Sequence, residues 1–400
     1  MAEFRVDWSG RSFSYSEDEI RLAAEVMATA DPLTQGVWLQ RFEERFRDFT
    51  GARNAFATAN ASNALDLVAV LSDIQEGDEV IVPGHTFCAS AVSFARRGAV
   101  LRWADIDPST RVVTPESIEA LITPKTKLVV VVHLYGVMAD MAAIQAMCDD
   151  RGVEVVEDAA QALGAVRDGR HAGTVAQYGV YSFQGQKNLT TLGEGGMLVV
   201  RDDASAGRVS GLRHNGLEPI VRPDGDRHYW VPAMSNVAHQ FNDEWPFNFC
   251  LSEIQCAVGV AALKRLPEMN EVRQVRFERL AQALAPFPEL VPQTIPDGSV
   301  SAYHLFAVRY DPPNLDVSRD DFIETMAYEY GVKCIVQYYP LYRYDLFVSM
   351  GFGEAQCPEV DRFFDNMISL PFHHWMSESD FDYMVDATVA TAENLRNRQT

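Results

Sequence analysis

Residues 128–161 read LVVVVHLYGVMADMAAIQAMCDDRGVEVVEDAAQ, and the succession of patterns within this stretch decides the fold. Leu128–Leu134 is apolar without alternation, the mark of a strand covered on both faces. Met141–Asp150 carries helical spacing, and Val153–Glu157 is a second unbroken apolar strand. Buried strands joined by a helix indicate parallel pairing, because the helix returns the chain to the edge where it started.

Outward from this unit the alternation continues. Glu79–Val82, Val100–Ala104, Gly179–Phe183 and Met197–Val200 read as further strands, and Ser62–Leu71, Ala89–Arg97 and Pro115–Ile122 as helices. The fold class is therefore α/β, a mostly parallel central sheet with helices on both faces. After Asp202 the regularity fails, and Arg213–Phe249 is irregular yet rich in Trp, Tyr and Phe, which suggests a functional or interface loop. Helical spacing resumes over Leu251–Leu284, then a strand at Leu305–Tyr310 and a helix at Arg319–Tyr330 suggest a smaller C-terminal α/β domain. The expected division is an N-terminal segment 1–25 packing on the small domain, a large domain 26–260 and a small domain 261–400.

Composition narrows the function. The 400 residues carry 56 acidic against 34 basic side chains, a formal charge of −22, which repels nucleic acid and anionic membrane. No apolar run reaches the roughly 20 residues of a membrane span, and Met1–Asp7 lacks signal-peptide character, so a cytoplasmic location is expected. Six scattered cysteines suggest neither a zinc site nor a disulfide framework.

Ligands of open α/β sheets collect beyond the carboxyl ends of the strands. Asp158 closes one strand, where it either caps a following helix or partners a protonated ring nitrogen such as that of pyridoxal phosphate. Gln161, one helical turn on, then reaches the ring hydroxyl. Another strand ends in Ser182 and leads to Lys187, one of only five lysines, beside the cluster Gly193, Gly195 and Gly196. An amine in a partly desolvated pocket has a lowered pKa and attacks an aldehyde, and Ser182 is placed for a phosphate oxygen. Thr58–Asn63 precedes a helix whose start suits either an ordinary cap or a phosphate. Phe87, after Pro83-Gly84-His85-Thr86, is either core or a ring for stacking.

Together these ends resemble the DegT/DnrJ/EryC1/StrS sugar aminotransferases, pyridoxal-phosphate enzymes of fold type I. The resemblance is carried by Gly77-Asp78-Glu79-Val80-Ile81-Val82-Pro83, Val132-His133-Leu134-Tyr135-Gly136, Glu157-Asp158-Ala159-Ala160-Gln161, and Ser182 to Lys187 with Gly193-Glu194-Gly195-Gly196. It runs from about Thr34 to Leu266 and resumes at Gln337-Tyr338-Tyr339-Pro340 and Ser369-Leu370-Pro371. It implies that Lys187 holds the cofactor as a Schiff base and serves as general base. Asp158 becomes the ring-nitrogen partner, Gln161 a contact to the ring oxygen and Phe87 the stacking ring. Ser182 and the Ala61-Ser62 turn hold the phosphate, with Asn248 reaching the phosphate of a neighbouring subunit, which implies a homodimer with shared active sites.

The activity this resemblance implies is amino transfer from glutamate or glutamine to a keto sugar, nucleotide-linked in the family's usual chemistry, for amino sugar biosynthesis. Two departures stand out. Ala61-Ser62 replaces the usual Gly-Thr, and Cys250 stands where most members have arginine, a form resembling aminotransferases of cyclitol ketones such as scyllo-inosose. Arg213, His214, Arg222, Arg227 and His228 are either substrate contacts or solvated loop. Rival readings are a dehydratase, whose members carry histidine at the position of Lys187, and a regulatory protein that binds the cofactor without turnover. A nicotinamide dehydrogenase lacks support, since no Gly-x-Gly-x-x-Gly follows a first strand.

Overall fold

The computed structural model describes residues 4–217, 244–312 and 317–397. The opening stretch forms the expected unit: strand Thr126–Val132, helix Met141–Asp149 and strand Glu154–Asp158. The first strand stops two residues short of the expected end. His133 leaves it and Tyr135 adopts a left-handed conformation with φ 59°.

The strands in chain order are β1 Asn54–Thr58, β2 Glu79–Pro83, β3 Val100–Ala104, β4 Thr126–Val132, β5 Glu154–Asp158, β6 Val166–Arg167, β7 Arg170–His171, β8 Tyr178–Ser182, β9 Gly196–Val200, β10 Leu290–Pro292, β11 Ser299–Val300, β12 Phe306–Tyr310 and β13 Met367–Leu370. The central sheet has the order β1-β9-β8-β5-β4-β2-β3. All neighbours from β8 to β3 pair in parallel, while β9 runs antiparallel to both β8 and β1. The α/β class is thus the observed one, with β9 as the reversed strand. The glycine return before β9 is what turns the chain round.

Several elements lie outside the sequence reading, β1 and a helix after β9 among them. β1 is a short strand whose sequence NAFAT gives too little apolar signal to be singled out. Asp203–Arg213 is a helix, capped by the Asp202 side chain on Ser205 N–H, where two glycines and two serines weaken the helical pattern. Arg213 therefore belongs to a helix and is buried, its guanidinium paired with Glu43 and the Ala57 carbonyl. Its assignment to a solvated loop is corrected accordingly. Arg222, Arg227 and His228 lie outside the described residues.

A second core gathers around the antiparallel sheet β10-β12-β13. The helix Glu253–Leu284 links the two cores. Cys256, Leu263, Leu266 and Met269 pack into the first, and Phe277, Leu280 and Leu284 into the second. The boundary expected at 260 falls inside this helix. Near the N-terminus, Val6 pairs with Gly331 and Lys333, while Ser12 N–H donates to Gly185 O at 3.0 Å. The first residues therefore touch both the small core and the loop that carries Lys187.

One long-range cap fixes the helix Val37–Thr50, whose N-cap, Gly36, brings no side chain. Glu253 supplies the acceptor, taking N–H groups from Gly36 at 2.9 Å, Trp38 at 2.8 Å and Leu39 at 3.2 Å. A carboxylate against the positive end of a helix is favourable, and here it is buried as well. Gly36 is needed there, because a Cβ would come within 2.6 Å of Glu253 Oε2. Among the described residues no helix is long and apolar enough to cross a membrane.

Candidate active site

The carboxyl ends of β1, β2, β4, β5 and β8 share one edge of the sheet. Register brings Val132 opposite Asp158, and Ser182 and Thr58 opposite Gly196. Residues far apart in the chain are thus placed side by side by backbone pairing alone.

Asp158 is the last residue of β5 and is buried. Its Oδ2 accepts from Ser90 Oγ at 2.7 Å and its Oδ1 from Ala160 N at 3.1 Å. No helix follows, since residues 159–165 form turns, so the helix-cap alternative falls and Gln161 is set by a turn rather than a helical repeat. Gln161 is held from both ends of its amide. Its Oε1 accepts from Tyr135 N at 2.8 Å, and its Nε2 donates to Tyr338 Oη at 3.1 Å. The left-handed Tyr135 is what points that N–H at Gln161.

The neighbouring Glu157 is fully buried and fully satisfied. It accepts from Gly173 N at 2.8 Å, from Val175 N and Ala176 N at 2.7 Å each, and from His133 Nε2 at 2.9 Å. His133 Nδ1 meanwhile accepts from Ala139 N at 3.3 Å, so the Nε2–H tautomer serves both contacts. This carboxylate ties β4, β5 and the segment before β8 together behind Asp158.

Lys187 sits in a loop between β8 and β9 that is closed by its own hydroxyls and backbone. Thr190 Oγ1 donates to Phe183 O at 2.7 Å, Thr191 Oγ1 to Glu194 O at 2.6 Å, and Gly185 N to Gly193 O at 2.9 Å. Burial pulls the Lys187 ammonium down from 10.5 to about 8, and the opposing charge of Asp158 resists that shift. Lys187 shares a cavity with Ser12, His304, Gln337, Tyr338 and His373.

At the end of β1, Asn60 is the N-cap of helix Ala61–Leu71, its Oδ1 accepting from Asn63 N at 2.9 Å. Ala61 and Ser62 are the first two helical residues, whose N–H groups have no partner within the helix and point along its positive end. Gly196 permits this approach, since a Cβ there would lie 2.5 Å from Asn60 C and 2.6 Å from Ala61 N. Ser182 is buried across the register from Gly196, with Oγ accepting from Gln184 N at 3.3 Å. Helix start and serine hydroxyl together make a cradle of donors suited to a phosphate.

Phe87 is 53% exposed, which excludes the core alternative, and meets Tyr338 edge-on at 6.0 Å. Asn248 is exposed, paired through its backbone bridge to His214, and no side-chain hydrogen bond holds it among the described residues. The single chain therefore brings together Lys187, Asp158, Gln161, Ser182, Ala61 and Ser62 at one sheet edge and leaves Asn248 at the surface. Cys250 is half-buried, and its thiol donates to Arg213 O at 3.6 Å. Burial pushes that thiol upward. Three contributors escaped the sequence reading as side chains: Ser90, Tyr338 and His304. Only Tyr338 carried a signal, within the quoted Gln337-Tyr338-Tyr339-Pro340.

A planar aldehyde cofactor with a phosphate and a basic ring nitrogen fits these residues: a donor cradle, a buried carboxylate, an exposed aromatic face and an amine of lowered pKa. Comparison with known proteins agrees. The model of the DegT/DnrJ/EryC1/StrS aminotransferase family matches residues 14–389. The spore coat polysaccharide biosynthesis protein SpsC of Bacillus subtilis is 31% identical over 373 residues, covering 93% of each chain. GDP-perosamine synthase of Caulobacter vibrioides is 32% identical over 369 residues, covering 91% of this chain and 92% of its own. The crystal structure of an aminotransferase from Psychrobacter cryohalolentis superposes with a TM-score of 0.88 at 28% identity, over 98% of this chain and all of the other. The chain belongs to the DegT/DnrJ/EryC1/StrS aminotransferase family and is a pyridoxal-phosphate-dependent aminotransferase.

Proposed function

We propose that the protein transfers an amino group from glutamate or glutamine to a keto sugar, nucleotide-linked, in amino sugar biosynthesis, and that Lys187 carries the chemistry. The observation behind this reading is the Lys187 amine, lowered to about 8 by burial and placed at the sheet edge with Asp158. The similarity to a GDP-perosamine synthase and to a polysaccharide biosynthesis protein supports a sugar as acceptor.

Bound pyridoxal phosphate supplies an electron sink that stabilises negative charge on the carbon next to the transferred amine. Lys187 Nζ would hold the cofactor covalently and, as a free amine, would move the proton at the donor carbon and, in the reverse sense, at the acceptor carbon. Asp158 would keep the ring nitrogen protonated, with Ser90 Oγ holding that carboxylate in place. Gln161, locked between Tyr135 and Tyr338, would bind the ring oxygen. Phe87 would stack on the ring, and the N–H groups of Ala61 and Ser62 with the hydroxyls of Ser62 and Ser182 would hold the phosphate. Asn248 would act on the phosphate in the partner of a homodimer.

Within the chain Cys250 turns its sulfur onto a backbone carbonyl, a packing contact, so we favour the keto sugar over a cyclitol ketone. The reading is tested by loading the enzyme with its cofactor, converting it with glutamate or glutamine, and offering GDP- or dTDP-linked 4-keto-6-deoxy sugars beside scyllo-inosose. Mass analysis is expected to show the aminated nucleotide sugar. Turnover of the cyclitol alone would reverse the choice of acceptor, and no donor half-reaction with either amino acid would refute the donor.

A further inference from the structure

The loop that carries Lys187 is held from outside by the chain's own N-terminal segment. Leu192, which follows the lysine in the same loop, has φ 64°, a left-handed conformation that a Cβ disfavours. A residue persists in such a conformation where its surroundings over-determine it, and such positions gather around reactive groups. Here the Leu192 N–H donates to Tyr15 Oη at 2.9 Å. The carbonyl of the next residue, Gly193, accepts from Gly185 N at 2.9 Å, and the Gly185 carbonyl accepts from Ser12 N at 3.0 Å. These bonds close a circuit that leaves the segment at Tyr15, passes through Leu192, Gly193 and Gly185, and returns to the segment at Ser12. Lys187 lies in the chain between the tied points Gly185 and Leu192, its own N–H donating to Gln184 O at 2.8 Å.

The segment is itself fixed. Phe13 is fully buried in the first core, and Tyr15 meets its ring edge-on at 5.2 Å. Helix Glu253–Leu284 holds the backbone on either side of Phe13, Arg273 Nη2 donating to Ser12 O at 3.3 Å and Arg265 Nη1 to Ser14 O at 3.2 Å. The same helix reaches the loop directly, where Gln255 Nε2 donates to Thr191 O at 3.2 Å and to Glu194 O at 3.0 Å. Those two bonds take carbonyls on either side of the turn, and the N–H of the left-handed residue is left to the phenol.

We propose that Tyr15 is a positioning residue for Lys187: its phenol oxygen holds Leu192 in the left-handed turn and, through the circuit to Gly185 and Ser12, sets the loop backbone on which the lysine stands. This rests on the reading of Lys187 as the lysine that takes the cofactor. Without the phenol, Leu192 is free to relax toward negative φ, which moves the Gly193 carbonyl off Gly185 and loosens the backbone just before the lysine.

The test uses the full chain freed of cofactor. Tyr15→Phe removes the phenol oxygen and keeps the ring. Hydrogen exchange resolved to single amides by mass spectrometry should speed up about fivefold at Leu192 and at Gly185, the population change that loss of one typical hydrogen bond gives. Capture of added pyridoxal phosphate, followed by absorbance, should slow about two- to fivefold as the competent loop conformation is depleted. Asparagine tolerates the left-handed region better than leucine, so Leu192→Asn placed in the Tyr15→Phe chain should return both Gly185 exchange and the capture rate toward wild type. Faster exchange at Leu192 with none at Gly185, an unchanged capture rate in Tyr15→Phe, or no recovery in the double variant would each overturn the proposal. Exchange at Gly185 does not depend on which lysine takes the cofactor. If reduction fixed the cofactor to another lysine while that exchange changed as expected, the role of Lys187 would fall and the hold of Tyr15 on the loop would stand.

Discussion

Lys187 and Asp158 are a pair in which one environment lowers a base and keeps a carboxylate in reach, and each makes a prediction of its own. Because burial lowers Lys187 to about 8, capture of added pyridoxal phosphate by the cofactor-free chain should accelerate with pH up to about 8 and then level. Stopped-flow absorbance reads this directly, and a plateau reached only near the value of a free lysine would contradict the burial. Linkage gives the sign for stability. Between about 8 and 10.5 the unfolded chain binds more protons than the folded one, so this residue's cost to the fold is full below that window and relieved as pH rises through it. For the carboxylate, Asp158→Asn should cost the donor half-reaction on the order of 3 kcal/mol in barrier, while Ser90→Ala should cost about 1 kcal/mol. Single-turnover rates rank the two, and a larger loss in Ser90→Ala would invert their roles. Asp158, Gln161 and Lys187 were legible because each lies in a short motif after an apolar strand. Ser90, Tyr338 and His304 were not, because their partners lie 68, 177 and 116 residues away.

The elements owe their ends to contacts that local propensity cannot supply. Helix Val37–Thr50 begins at a glycine and is capped by Glu253, which also opens a helix of its own behind the Ser252 cap. Glu253→Ala would leave three N–H groups buried without an acceptor and should destabilise the protein by roughly 2–4 kcal/mol. Glu253→Gln keeps one acceptor oxygen and should cost less than half as much. Urea midpoints at constant slope separate the two, and equal losses would mean that charge matters and hydrogen-bond count does not. The short strand β1 and the helix Asp203–Arg213 show the complementary limit. Five residues with moderate apolarity, or eleven diluted by Gly and Ser, become regular because the sheet and its neighbours pay their ordering entropy, not because the segment prefers it.

For the whole molecule, the surface position of Asn248, set against the proposed cofactor residues gathered at the sheet edge, predicts complementation between chains. Lys187→Ala and Asn248→Asp subunits, each expected to be inactive as homodimers, should regain roughly half the wild-type activity as isolated heterodimers and about a quarter as a one-to-one mixture, since one of the two sites of each heterodimer is then unmutated if one residue comes from each chain. Tandem affinity tags verify the heterodimer. No recovery in verified heterodimers would place Asn248 outside a shared site.

By itself, the order of apolar runs and helical patterns determined the α/β class, and the motifs after the strands determined the family and its candidate lysine, carboxylate and amide, because these signals are local and repeat with the period of the backbone. Tertiary structure decided the rest. It showed that no helix follows Asp158, that Gln161 is oriented by a left-handed Tyr135, that Phe87 is exposed, that Arg213 is spent on Glu43, and that His304 faces the cavity of Lys187. Each of these depends on which strands become neighbours, and strand order is set by burial across the entire sheet, a quantity no short window of sequence contains.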